Sequence, residues 1–236
     1  MMAPVLKNRI ALITGASRGI GAAVAKHFAT EGAHVILAAR DVKGLEETDD
    51  AIRSVGGTAT LVQLDLAEFS KIEMLAQQVA QRFGKLDILV GNAGLLGELT
   101  PLQDQPPDIW DQVMAVNVTA NLHLIRCFDA LLKQSDAPRA MFVTSGVAEH
   151  PMAYWGAYAT SKAALDMMVG IYAAENAKTK LRVNLISPGE VRTRMHAQAM
   201  PGADPMDYPA PEEITDIFVK LAGAGLKDTG KKFYAQ

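Results

Sequence analysis

Six apolar runs of strand length recur along the chain and restrict its fold more than any other feature: Arg9 to Ile13, His34 to Ala39, Thr58 to Leu64, Leu86 to Val90, Ala140 to Thr144 and Leu181 to Ile186. They are continuous, not alternating. A strand with one wet face alternates apolar and polar residues, so continuous runs suit strands covered on both faces. Segments of helical spacing and length lie between them, which is the pattern of repeated β-α-β crossovers. The fold class that follows is α/β: a doubly wound parallel sheet flanked by helices on both faces. Such sheets bind ligands at the carboxyl ends of their strands, so functional residues are expected just after each run.

With 236 residues, 49% apolar and 21% charged, the chain fits one globular domain, and no repeat or linker divides it. Lys and Arg number 23 against 26 Asp and Glu, a net charge of −3, so no cationic field is available to hold nucleic acid. Cys127 is the single cysteine; it permits no internal disulfide and reads as a buried structural thiol in a reducing compartment. No stretch approaches the roughly 20 apolar residues that span a bilayer. The start, Met1 to Lys7, lacks an apolar signal core, and a soluble, cytoplasmic protein is expected. From Glu190 to Pro211 the prolines at 201, 205, 209 and 211, with Gly202, make regular structure improbable. That stretch is either a substrate lid at about 190–211 or a surface connection.

After the first run comes Thr14-Gly15-Ala16-Ser17-Arg18-Gly19-Ile20-Gly21, followed by an alanine-rich segment that opens a helix. Strand, glycine turn and helix then stand in the order that a pyrophosphate site requires. Gly15 allows a tight turn, Gly19 a close backbone approach, and Gly21 close packing of helix on strand. Gly15, Ser17, Arg18, Gly19, Ile20 and Gly21 are the expected contacts.

The spacing G-x-x-x-G-x-G behind Thr14 resembles the signature of the short-chain dehydrogenase/reductase family. Further motifs stand in that family's order: Asn92-Ala93-Gly94 after the fourth run, Ser145 after the fifth, Tyr158 and Lys162 as Y-x-x-x-K, and Pro188-Gly189 after the sixth. The resemblance covers about Lys7 to Thr193. It implies a single Rossmann-like domain that moves a hydride between a nicotinamide cofactor and a carbonyl or secondary alcohol.

Tyr158 and Lys162 are four residues apart among good helix formers, so both side chains lie on one face, one turn apart. A phenol of ordinary pKa about 10 needs help to exchange a proton near neutrality. Lowering it by about three units takes roughly 4 kcal/mol, the attraction of one cation at about 4 Å and an effective dielectric of about 20. Lys162 is thus expected to lower the tyrosine pKa, while desolvation would oppose it. Ser145 offers a hydroxyl that could hold a substrate oxygen opposite Tyr158. By the resemblance, Ser145 polarises the carbonyl, Tyr158 exchanges the proton, Lys162 holds the ribose hydroxyls, and Asn117 holds a water for proton relay. On its own chemistry Asn117 reads as a helix-bending or core-satisfying amide.

The second run ends Ala38-Ala39-Arg40. Ala39 stands where an acidic residue would select NAD, and Arg40 with Arg18 could receive the extra phosphate of NADP. NADP (NADPH) is therefore expected over NAD, although Asp41 could bond a ribose hydroxyl instead. Asp65 and Leu66 follow the third run, where the family contacts adenine; Asp65 could equally cap a helix. By the same resemblance Asn92, Ala93 and Gly94 line the cofactor pocket, and Pro188, Gly189, Val191 and Thr193 contact the nicotinamide amide and pyrophosphate. Ser187 replaces the family's usual Asn, which puts the local loop geometry in question.

The five histidines show no metal-ligand spacing and read as surface or loop residues. Leu95, Leu96, Val147, Met152, Tyr154, Trp155, Met195, Met200 and Met206 suggest either a fairly apolar substrate pocket or core packing. Residues 229–236 resemble the family's last strand but lack its glycine-containing tail, so a homodimer is expected more than a homotetramer. A redox sensor that binds dinucleotide without turnover is the rival from another class. An epimerase or dehydratase on the related extended fold is disfavoured by the chain length and glycine spacing.

Overall fold

The computed structural model describes residues 4–236. Met1 to Ala3, on which part of the reading of the start rests, lie outside them. Seven strands form one parallel sheet: β1 Ile10–Thr14, β2 His34–Ala39, β3 Thr58–Gln63, β4 Ile88–Gly91, β5 Arg139–Val143, β6 Arg182–Ser187 and β7 Lys232–Tyr234. The order β3-β2-β1-β4-β5-β6-β7 reverses direction between β1 and β4, which opens the crevice where doubly wound sheets bind ligands. Eight α-helices connect and flank the strands: α1 Gly19–Thr30, α2 Val42–Arg53, α3 Phe69–Phe83, α4 Pro107–Met114, α5 Ala120–Lys133, α6 Gly156–Glu175, α7 Arg194–Ala199 and α8 Asp216–Ala222.

The continuous runs have a direct structural cause. Leu12 of β1 points into a core shared with α3, α5 and α6, whereas its neighbours Ala11 and Ile13 point into a second core with α1, α2 and α8. Leu89 and Val90 of β4 divide the same way. Successive side chains alternate faces and both faces are dry, so the strand interiors are apolar except for buried Asn184 of β6. The other exception is β3, whose six residues are half-exposed or exposed. It lies at the sheet edge, so its run is not covered on both faces as expected.

A five-residue π-helical turn, Ala115–Thr119, joins α4 to α5. Regular structure also enters the proline-rich stretch: Thr193 Oγ1 accepts from the His196 amide and starts α7, and short 3₁₀ turns follow at Pro205–Asp207 and Pro211–Ile214. The prolines there fall outside α7 or open those turns, so they bound structure instead of preventing it. No helix among the described residues is long and apolar enough to cross a membrane.

Candidate active site

One cleft of about 1270 Å³ runs along the carboxyl ends of the strands. It is lined by every residue that the sequence singled out as catalytic or cofactor-binding except Gly21 and Asn117. The glycine turn forms its floor. Gly15 has φ +66°, and a Cβ there would stand 2.9 Å from the Ala93 Cα; a Cβ on Gly21 would stand 2.4 Å from the Gly15 carbonyl. Gly21 therefore acts behind the cleft wall, by letting α1 close on the loop. Thr14 Oγ1 accepts from the Asn92 and Ala93 amides, Asn92 Nδ2 donates to the Thr14 carbonyl at 2.8 Å, and Thr48 Oγ1 donates to the Ala16 carbonyl at 3.0 Å. Asn92 thus locks the turn from behind. Arg18, at the N-cap of α1, makes no side-chain cap, and the first turn of α1 holds no acidic residue. Its amides and dipole suit a phosphate.

At one end of the cleft Arg18 pairs with Asp41, and Arg40 Nη1 lies 3.8 Å from Asp65 Oδ2. Asp41 Oδ1 accepts from the Gly44 amide and caps α2, while Oδ2 holds Arg18. Asp65 Oδ1 closes a turn on the Ala67 amide at 2.9 Å; it does not cap α3, whose N-cap is Glu68. Thr193 stands over the glycine turn, its Cγ2 3.5 Å from where a Gly19 Cβ would be. Val191 is buried. Ser187 in place of Asn leaves the loop intact because the link is through main chain: the Ala235 amide donates to the Ser187 carbonyl at 3.0 Å.

Ser145 leaves β5 in extended conformation and opens a 3₁₀ turn, Gly146–Ala148. Its hydroxyl faces the Tyr158 phenol, which is 9% exposed and lies edge-on to Trp155, ring centroids 5.9 Å apart. Lys162 Nζ is fully buried, donates to the Val143 carbonyl at 2.7 Å, and stands 5.6 Å from the centroid of the Tyr158 ring. The expected lowering of the tyrosine pKa is not what this arrangement produces. Burial pushes Tyr158 up to about 12, with the Ser145 hydroxyl pulling it partly back. Burial likewise pushes Lys162 down to about 8, opposed by the charge of Asp166 one turn further on. Removal from water outweighs the mutual attraction at this separation.

Asn117 sits in the π-turn and is fully buried. Its Oδ1 accepts from the Leu95 amide, and its Nδ2 donates to the Leu95 carbonyl and to Ser161 Oγ, all within 2.9 Å. The amide side chain is thus committed to tying the loop after β4 to α6, the core-satisfying reading. A Cβ on Gly94 would lie 3.4 Å from Asn117 Oδ1 and 3.5 Å from Lys162 Nζ, so the tie holds that loop against the lysine.

From β7 and just beyond it, Tyr234 lines the cleft and Lys232 and Gln236 bond residues of its wall. Lys232 donates to both Glu149 and Asp166, Tyr234 donates to Glu149, and Gln236 Nε2 donates to the Pro188 and Glu190 carbonyls at 2.9 Å. They stand at alternate positions, the one signal in the sequence that could have grouped them. Cys127 is half-buried, not buried, and burial raises its pKa. Four histidines lie in regular elements, not loops. His34 of β2 bonds Thr58 and Thr60, His27 of α1 bonds Thr215, His123 of α5 stacks on Phe69, and His196 of α7 packs on Tyr208.

Over residues 9–203 the chain matches the short chain dehydrogenase family. It is 38% identical over 236 residues to the uncharacterized oxidoreductase YciK of Escherichia coli (strain K12), covering 98% of this chain and 93% of that one. Two crystal structures, each 38% identical, superpose at a TM-score of 0.96 over 100% of both chains. One is a short chain dehydrogenase from Shigella flexneri 2a complexed with NADP, and the other is from Escherichia coli CFT073 complexed with NADPH. The chain belongs to the short-chain dehydrogenase/reductase family of oxidoreductases.

Proposed function

We propose that the chain reduces a fairly apolar ketone, or oxidises the matching secondary alcohol, with NADP(H) as cofactor. The observation that carries this reading is the meeting of the Ser145 hydroxyl, the Tyr158 phenol and the Lys162 ammonium at the end of β5 in the cleft. The chain's residues fit the nucleotide: glycine turn and uncapped helix start for the pyrophosphate, Asp65 and Leu66 for adenine, and two guanidiniums at the rim for a 2′-phosphate. Arg18 and Arg40 would exchange carboxylate partners for phosphate oxygens, a bidentate geometry that suits them. The NADP and NADPH complexes of the two similar structures support that choice. Bound nicotinamide supplies the hydride.

The chain supplies position and the proton. Ser145 orients the carbonyl oxygen towards Tyr158. A phenol that burial pushes up to about 12 keeps its proton at neutral pH, so Tyr158 holds the proton that reduction of a carbonyl requires. Lys162 is mainly ammonium at neutral pH and faces the ribose side of the cleft beside Gly94. Leu95, Leu96, Val147, Met152, Trp155, Met195 and Met200 line the remaining space and support the apolar substrate. The stretch 190–211, with α7 over the cleft, serves as the lid of a single domain. Exposed Leu122 of α5 and Met167 and Ile171 of α6 support a homodimer. A single free thiol accords with the cytoplasm.

The test follows nicotinamide absorbance with NADPH or NADH across cyclic, aromatic and aliphatic ketones and the corresponding alcohols. Turnover with NADPH on an apolar ketone is expected. Tight NADPH binding without turnover on any of them would overturn the enzyme reading in favour of a redox sensor.

A further inference from the structure

Lys232 is 15% exposed and lies between two carboxylates, Glu149 and Asp166, whose side chains are 37% and 17% exposed. The carboxylates belong to different parts of the catalytic centre. Glu149 ends the 3₁₀ turn that Ser145 begins, its amide bonded to the Gly146 carbonyl at 3.1 Å. Asp166 continues the face of α6 that carries Tyr158 and Lys162, at steps of four residues. One ammonium on β7 therefore clamps the serine turn to the tyrosine–lysine helix. Tyr234, two residues along the same strand, adds a second donor to Glu149. Asp166 Oδ1 is buried without a hydrogen-bond partner among the described residues, while Oδ2 pairs with Lys232 and the carboxylate acts on Lys162 by charge.

We propose that Lys232 is a positioning residue for the proton-transfer centre: it holds Ser145 in register with Tyr158 through Glu149, and through Asp166 it sets the electrostatic field at Lys162. The second half rests on geometry independent of the reaction, while the first rests on the function proposed above. The groups around Lys162 are Tyr158 and Asp166 from its own helix, the Val143 carbonyl from β5, and Asn117 and Gly94 from the π-turn and loop; Lys232, with Glu149 on its other side, reaches it through Asp166. Asp166 attracts the ammonium, and Lys232, paired with Asp166, offsets that attraction. Removing each should move the lysine in opposite directions, a result that loss of packing alone would not give.

Lysine carrying ¹³C at Cε is incorporated into the full chain saturated with NADP, and Lys162→Met assigns the resonance. In the NMR titration, Asp166→Asn is expected to lower the Lys162 pKa and Lys232→Met to raise it, each by roughly half a unit or more. Lys232→Arg, which keeps the charge, should restore the wild-type value. In parallel, with NADPH and cyclohexanone, Lys232→Met should lower kcat about tenfold with the NADPH dissociation constant unchanged. Shifts of the same sign, or none, for the two neutral variants overturn the electrostatic part. Full turnover by Lys232→Met overturns the clamp, whereas full turnover by Tyr158→Phe overturns the underlying catalytic reading instead. Should Lys232→Met not fold, Glu149→Gln breaks the clamp from the other side and must lower kcat in its place.

Discussion

The two ends of the parallel sheet are built on opposite plans. At the amino end Arg9 donates to the carbonyls of Asp87, Ala137 and Ala222, and Arg139 donates to those of Pro138, Gly223, Ala224 and Leu226. Asp87 accepts from the Ile10 amide, Ser135 Oγ and Lys85 Nζ. Burial, then repulsion from Arg9 and Arg182, brings Arg139 down to about 10, yet its donors are engaged by carbonyls. At the carboxyl end Lys162 has one carbonyl and Tyr158 one hydroxyl, and the start of α1 is uncapped. The comparison teaches where this sheet tolerates incompletely answered polar groups: at the end that receives a ligand. Arg182 Nε excepted, the amino end closes its side-chain hydrogen bonds around Arg9, Asp87 and Arg139 and holds the strands in register.

Substitutions at the two ends should therefore fail differently. The largest effect is expected for Tyr158→Phe, which removes only the transferable proton: kcat/KM falls by about 10³ while the melting temperature stays within about 2 °C of wild type. Asp87→Ala is the converse. It orphans the Ile10 amide and Ser135 and leaves Lys85 unpaired, and should cost about 3 kcal/mol, or roughly 6–12 °C in Tm for a chain of this size. The kcat of the folded fraction should not change. Calorimetry and initial rates on both variants check the pair; a Tm loss in Tyr158→Phe as large as in Asp87→Ala would break the comparison.

A smaller effect concerns the rim of the cleft. The Arg40 side chain is exposed and pairs with Asp65 at 3.8 Å, so Arg40→Ala should leave stability within about 0.5 kcal/mol. It should weaken NADPH binding about tenfold, the worth of one charge-assisted hydrogen bond, and leave NADH untouched. Isothermal titration with each nucleotide reads the difference. Equal weakening of both would place Arg40 on the common part of the dinucleotide.

Much of this division was legible in the chain. Both-faces-apolar runs located β1, β2, β4, β5 and β6 to within two residues at either end, because burial on two faces leaves few polar positions to confuse the pattern. The glycine turn was legible because backbone curvature and close approach demand particular residues. The charges were harder. Asn117, Asp41 and Asp65 each had two readings, because the sequence does not name their partners: Leu95 and Ser161 for the first, Gly44 and Arg18 for the second, Ala67 for the third. Lys232 was illegible, since its carboxylates lie 66 and 83 residues away and no local period links them. The tyrosine pKa failed for another reason. Spacing gave the attraction between Tyr158 and Lys162, but the opposing desolvation depends on burial that only the packed structure defines.

That desolvation supplies the finest test of the comparison. Lys162 ordinarily titrates at 10.5 and is brought to about 8 by burial. Between those values the unfolded chain binds a proton that the folded chain has released, so this group makes stability rise with pH across the window and lowers stability in full below about 8. Tyr158 acts in the next window. Raised from 10.0 to about 12 by burial, it keeps a proton that the unfolded chain loses, and stability falls as pH climbs from about 10 to about 12. Lys162→Met deletes the first contribution together with the hydrogen bond to Val143. Burial at 1.36 kcal/mol per unit exceeds what one such bond contributes, so the variant should be more stable than wild type by about 1 kcal/mol near neutrality. That advantage should shrink to nothing near about pH 9 and reverse above it, as the folded wild-type lysine loses its charge while the variant still lacks the hydrogen bond to Val143. Urea unfolding at intervals across this range measures it. A variant that is less stable by a constant margin at every pH would show that the carboxyl end holds its lysine without strain, and the contrast between the two ends would reduce to hydrogen-bond number alone.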